Sequence, residues 1–207
     1  MTLHSAEIEL AAVSVPDRVQ AFLDDADARI ERYYQRDEHV PGRGFIPSDY
    51  QIGYQCLCAV RRLYPGATRF CEWGSGFGVV TGLATTLGYE AHGIEVDPEL
   101  VAASRSLLAD HAMEADIFHG SFIPEDYANT EQLSDHETRT VIHHEDAYDQ
   151  MDLAIDDFEV VFAYPWPGEE EQYCDVFDQY ADFDALLLTY SRTEVITAYR
   201  KVGELRD

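Results

Sequence analysis

A doubly wound α/β fold, with a mainly parallel sheet, helices on both of its faces and further helices ahead of it, is the architecture this sequence predicts. Three observations carry the prediction. Short strand-like runs alternate with helical stretches from about residue 68 to residue 190, the pattern of repeated βαβ units. The first of these runs leads directly into three alternating glycines and then a helix. The length, 207 residues, suits one domain able to bury a core of ordinary size.

Taken in order, Met1 to Val15 has neither a basic n-region nor an unbroken apolar h-region, which points to a cytoplasmic protein. Residues 17–38 place Val19, Phe22, Leu23, Ala26, Ile30 and Tyr33 or Tyr34 near a helical period. Pro41-Gly42-Arg43-Gly44 breaks that helix, and Ser48-Asp49 caps a second one from Tyr50 to Leu63, stopped at Tyr64-Pro65-Gly66. These elements form an N-terminal helical segment, residues 1–64, packed on a core domain of residues 65–207. In that domain Thr68 to Trp73 is the first strand, Gly78 to Leu87 a helix ended by Gly88, and Ala91 to Val96 the second strand. Asp97-Pro98, an N-cap followed by proline at the first helical position, opens a helix to about His111. Ala115 to Phe122, Phe158 to Ala163 and Ala185 to Tyr190 are the remaining strands, with Gly168 to Tyr180 helical before the last. An acidic insertion at about residues 124–157 interrupts the pattern, too long for a simple connection and expected to hold one helix near Glu145 to Leu153.

Composition narrows the function classes. Hydrophobic residues are 46% of the chain and aromatic ones 12%, which excludes disordered and low-complexity classes. The formal charge of -26 repels a phosphate backbone, so nucleic acid is not an expected partner. Of the 14 Lys plus Arg residues only Lys201 is a lysine; such a surface suits a salty cytoplasm, though an ordinary acidic protein reads the same way. No stretch approaches the roughly 18 apolar residues of a membrane span. Cys56, Cys58, Cys71 and Cys174 lack the spacing of a zinc site and read as buried free thiols, and His143-His144 reads as solvated charge, so no metal is expected.

The most informative segment is Glu72-Trp73-Gly74-Ser75-Gly76-Phe77-Gly78. Glycines at a strand-to-helix turn let the backbone bend sharply and approach a ligand that a Cβ would exclude. The third glycine falls two residues after the second, whereas the dinucleotide fingerprint places it three after, at the position of Val79. Glu95 ends the second strand, where a carboxylate can accept hydrogen bonds from both hydroxyls of a ribose. From Cys71 to Leu100 there is no Lys or Arg to meet a phosphate. A nucleoside carrying an amino acid tail therefore fits better than a dinucleotide, and S-adenosylmethionine is such a molecule. A ligand-free structural turn is the competing reading of the glycines alone.

Glu-x-Gly-x-Gly-x-Gly followed by Glu95 resembles the first two motifs of the class I S-adenosylmethionine-dependent methyltransferases, whose Rossmann-like strand and helix order the chain also matches over roughly residues 45–202. The resemblance implies that Glu72, Gly74, Ser75, Gly76 and Gly78 hold the methionine end of the cofactor, Glu95 the ribose, and that Val96 lies against the adenine. Where many relatives end the third strand with an Asp for the adenine amino group, this chain reads His119-Gly120-Ser121-Phe122, which leaves Ser121 as the acceptor. Where amino-group methyltransferases often read Asn-Pro-Pro-Tyr, it reads Ala163-Tyr164-Pro165-Trp166-Pro167: the prolines and aromatics are present, the Asn is not. Tyr164 and Trp166 are the candidate catalytic residues, as an aromatic wall for a flat substrate or a lysine stem, although Trp166 could equally pack in the core. Phe45-Ile46-Pro47-Ser48 resembles the Pro-Ser/Thr segment of some protein-lysine methyltransferases, which packs over the methionine end and brings in Ser48.

The expected function is thus methyl transfer from S-adenosylmethionine to a small molecule or a protein side chain, and an acidic mouth favours an amine or lysine. An NAD-type nucleotide-binding oxidoreductase and a non-catalytic cofactor-binding module are the alternatives.

Overall fold

Each strand that the apolar runs predict is present, and two more flank them. In the computed structural model, which describes residues 2–10, 12–36, 45–128, 140 and 145–203, seven strands form one sheet in the order β1-β7-β6-β5-β2-β3-β4. The strands are β1 (Leu3–Ala6), β2 (Arg69–Trp73), β3 (Glu90–Glu95), β4 (Ala115–His119), β5 (Val160–Ala163), β6 (Leu186–Tyr190) and β7 (Ile196–Lys201). β4, β3, β2, β5 and β6 are mutually parallel, β7 is antiparallel to β6, and β1 is antiparallel to β7.

The helices are α1 (Asp17–Tyr34), α2 (Tyr50–Leu63), α3 (Val79–Thr86), α4 (Pro98–Asp110), α5 (Ala147–Met151) and α6 (Glu170–Tyr180). Asp49 and Asp97 cap α2 and α4, each carboxylate accepting from two backbone N–H groups of the first turn. Strand residues alternate between the two faces of the sheet. Phe70, Val160, Phe162, Leu186 and Leu188 pack with the apolar sides of α1, α2, α3 and α4, while Cys71, Trp73, Val161, Ala163 and Leu187 pack with α6, α5 and the segment around Phe122. Helices therefore cover both faces. Of the N-terminal elements, α1 and α2 share the core of the sheet and β1 extends it.

Three boundaries differ from the expected ones for physical reasons. β4 stops at His119, because Ser121 and Asp146 form an isolated bridge and Gly120 N–H turns to the Glu95 carbonyl. β5 begins at Val160, after a short 3₁₀ helix (Ile155–Asp157). The helix expected over 145–153 is the single turn-and-a-half of α5, capped by Asp146 and stopped by Asp152 in the left-handed region. The Pro41 to Gly44 break and residues 129–139 and 141–144 of the acidic insertion, His143-His144 among them, lie outside the described residues. All four cysteines are free thiols, and Cys58 is only half-buried where burial was expected.

Candidate functional site

In an open α/β sheet ligands bind at the carboxyl ends of the strands, where the strand order reverses direction. Here that point lies between β2 and β5, whose registers set Trp73 beside both Ile94 and Ala163. A cavity of about 830 Å³ opens there, within the range of small-molecule sites.

The floor of the cavity is the turn after β2. Gly74, Gly76 and Gly78 have φ of 71°, 53° and 67°, the left-handed region in which a side chain is strained. Gly74 and Ser75 line the cavity directly. Gly76 does not, because the Phe45 ring covers it: a Cβ on Gly76 would stand 2.3 Å from that ring. Gly78 faces the protein rather than the cavity, and a Cβ there would meet Ser104 and Ile117 at 3.1 and 3.2 Å. The Ser75 hydroxyl is buried on the cavity floor with no hydrogen-bond partner. An orphaned hydroxyl at such a place is costly to leave unmatched, so it marks a polar ligand.

Glu72 lines the cavity from the end of β2, with one carboxylate oxygen accepting from Thr81 N–H and Thr81 Oγ1–H at 2.8 and 2.5 Å. Burial pushes its pKa up to about 8, against the opposing pull of the Thr81 bonds. Glu95, at the end of β3, is buried, only 8% exposed. Its Oε2 accepts from Gly76 N–H, and its Oε1 from Val96 N–H and Asp97 N–H, all at 2.8 to 2.9 Å. A carboxylate has about four acceptor directions, so three are already taken and one remains for a ligand hydroxyl instead of two. Burial also raises the Glu95 pKa.

Of the other predicted residues, Ser48, Val96, Phe122, Tyr164 and Trp166 line the cavity. Ser121 does not: it is 1% exposed, its hydroxyl accepts from Ile123 N–H, and Gly120 and Phe122 on either side of it line the cavity instead. Trp166 is half-buried, not a core residue, and Tyr164 stands edge-on to Tyr190 with ring centres 4.9 Å apart. Trp73, Tyr173 and Arg192 also line the cavity and were not singled out in the sequence. Trp73 stacks on Phe122 at 4.8 Å and a 10° angle, and Tyr173 bonds Thr140, which also donates to Glu169. Tyr173 precedes Phe177 by one helical turn, a spacing that signals the inner face of α6; Arg192 carried no such signal.

No family model matches the chain, and no curated protein matches it in sequence. Solved structures do resemble it. A methyltransferase from Geobacter sulfurreducens is 12% identical, with 91% of this chain and 92% of that one covered and a TM-score of 0.54. An RNA methyltransferase from Salinibacter ruber, in complex with S-adenosyl-L-homocysteine, is 15% identical over 78% and 97% of the two chains, with a TM-score of 0.51. The chain has the class I methyltransferase fold. An O-methyltransferase from Bacillus cereus in complex with the same ligand adds a TM-score of 0.51 at 12% identity, covering 86% and 67%. In the methyltransferase fold of this chain, the glycine turn, Glu95 and the Tyr164 turn all meet at one cavity.

Proposed function

We propose that this protein is an S-adenosylmethionine-dependent methyltransferase. The observation that carries the reading is the left-handed glycine turn tied to Glu95 through Gly76 N–H, on the floor of a cavity that also holds the orphaned Ser75 hydroxyl. Complexes of two of the similar structures with S-adenosyl-L-homocysteine support the choice of cofactor. Bound there, S-adenosylmethionine supplies a sulfonium methyl group for in-line displacement. Gly74, Ser75, Glu72 and Ser48 surround the methionine end, with Gly76 and Gly78 shaping the turn beneath. The remaining acceptor direction of Glu95 would take a ribose hydroxyl, and Val96 and Phe122, which line the cavity, would hold the base; Ser121, whose hydroxyl accepts from Ile123 N–H, would not be needed.

On the acceptor side, Tyr164 and Trp166 form an aromatic wall held by Pro165 and by the Tyr190 ring. Transfer from a sulfonium needs alignment and exclusion of water more than a strong base, which a rigid aromatic wall provides. A small molecule or a protein side chain is the acceptor, with the net charge of -26 arguing against RNA.

Thermal shift with S-adenosylhomocysteine, NAD and NADP tests the reading, because a ligand that binds only the folded state raises Tm. The expected result is a rise with S-adenosylhomocysteine alone. A rise with NAD and none with S-adenosylhomocysteine overturns it in favour of an oxidoreductase. In calorimetry Glu95→Gln should weaken S-adenosylhomocysteine binding by about tenfold, the difference between a charge-assisted and a neutral hydrogen bond.

A further inference from the structure

Charge is divided across the cavity in a way that bears on the acceptor. Glu95, Asp97 and Glu99 line the side formed by β3 and the start of α4, beside Glu72, which burial holds largely protonated. Among the described residues Arg192 is the sole cationic one in the lining, and it stands in the β6–β7 hairpin, on the opposite side, which also carries Tyr164 and Trp166 from the turn after β5. The hairpin is firmly built: Ser191 N–H donates to the Val195 carbonyl at 2.9 Å, Glu194 N–H to the Ser191 carbonyl at 3.0 Å, and the Ser191 and Thr193 hydroxyls are 2.8 Å apart. Most other arginines of the described residues have an assigned partner, as Arg29 has Asp25 and Asp110, Arg69 has Glu90, and Arg200 has Asp184. Arg192 has neither a hydrogen bond nor an ion pair with any described residue, although acids outnumber bases 40 to 14 along the chain.

Resting on the methyltransferase reading, we infer that the acceptor is a small aromatic molecule bearing a carboxylate, which Arg192 pairs with while Tyr164 and Trp166 pack on its ring. The planar guanidinium fork matches a carboxylate with two parallel hydrogen bonds, and the aromatic wall matches a flat ring. The division also suits the reaction's charges. A cofactor carrying an ammonium and a sulfonium meets the acidic side, and an anionic acceptor meets the one base. In the transfer, a lone pair of the acceptor's nucleophilic atom would form the new bond to the methyl carbon as the carbon–sulfur bond breaks and its electron pair passes to sulfur, giving neutral S-adenosylhomocysteine, while the proton of the nucleophilic atom passes to water; the carboxylate is an anchor and is unchanged. A cationic lysine or small amine, which the overall acidity of the chain suggests, would meet repulsion from Arg192 at this end.

The test uses the full chain saturated with S-adenosylhomocysteine. Calorimetric titrations compare para-hydroxybenzoate, protocatechuate and cinnamate with their carboxamides, which keep the ring and lose the charge, on the wild type, Arg192→Gln and Arg192→Lys. The expected result is that at least one acid binds about tenfold or more tighter than its amide, that Arg192→Gln removes this preference, that Arg192→Lys restores part of it, and that S-adenosylhomocysteine affinity is the same in all three. Equal binding of acids and amides, a preference that survives Arg192→Gln, or no acid binding up to about 10 mM overturns the assignment of Arg192. Tighter binding of a lysine peptide than of every acid overturns it as well. Failure of the wild type to bind S-adenosylhomocysteine at the outset removes the methyltransferase reading itself, and is seen before any acid is added.

Discussion

Glu72 illustrates how one buried side chain couples the cavity to pH. Its pKa rises from 4.5 in a solvated state to about 8 in the fold, so between these values the unfolded chain releases a proton that the folded one keeps. Stability from this group is complete below about pH 4.5 and is lost as pH climbs through 8. Tm should therefore fall between pH 5 and 8, and Glu72→Gln should flatten that fall; equal slopes for both proteins would show that Glu72 is ionised in the fold. Four residues along the chain, Gly76 separates conformational strain from cavity chemistry. Gly76→Ala and Gly88→Ala both place a side chain at positive φ, 53° and 81°. At Gly76 the Cβ also strikes the Phe45 ring at 2.3 Å, whereas at Gly88 it meets only the Arg61 guanidinium at 3.9 Å. Both variants should lose about 1 kcal/mol of stability or more from the backbone, but only Gly76→Ala should also lose cofactor affinity in a titration. The glycines were legible because a strained turn admits few other residues. Arg192 was not, because an isolated arginine in a hairpin has no periodicity to betray it, and its place above the cavity depends on how β6 and β7 pair.

At the level of elements, the turn that follows β5 and the end of β2 each contribute a tryptophan, with opposite expected behaviour. Trp73 is 1% exposed and stacked on Phe122, so Trp73→Ala should cost about 3 to 5 kcal/mol in denaturant unfolding. Trp166 is half-buried at the cavity wall, so Trp166→Ala and Tyr164→Ala should change stability by well under that. Both should reduce methyl transfer by about tenfold or more, a loss of roughly 1.4 kcal/mol, with S-adenosylhomocysteine affinity nearly unchanged. A loss of cofactor affinity in Tyr164→Ala would assign that ring to the cofactor half. The central parallel strands were legible because they are buried on both faces and so read as nearly continuous apolar runs, as Val160–Ala163 and Leu186–Tyr190 do. β1 and β7 were not, since Leu-His-Ser-Ala at the sheet edge and Ile-Thr-Ala-Tyr-Arg-Lys beside it are half-exposed and mix polar with apolar side chains.

For the whole molecule, 26 excess negative charges repel one another, and the attractive pairs that offset them are weak. The Arg36–Glu99 and Arg200–Asp184 pairs are largely exposed, where an ion pair contributes about 0 to 1 kcal/mol. Added salt therefore screens more repulsion than attraction as the Debye length falls from about 10 Å at 0.1 M to about 3 Å at 1 M. Tm should rise over that range in sodium chloride; a flat or falling Tm would show that the acidic groups are spread too widely to interact. The sheet's outer edge has a different consequence, one of timing. Leu3 pairs with Lys201, Ser5 with Tyr199, and Thr2 fastens to Asp178 through both its N–H and its hydroxyl. β1 therefore has no partner in this sheet until β7, the strand furthest from it in the sequence, has been made. Its short length and its His-Ser centre disfavour pairing with another nascent chain during that wait.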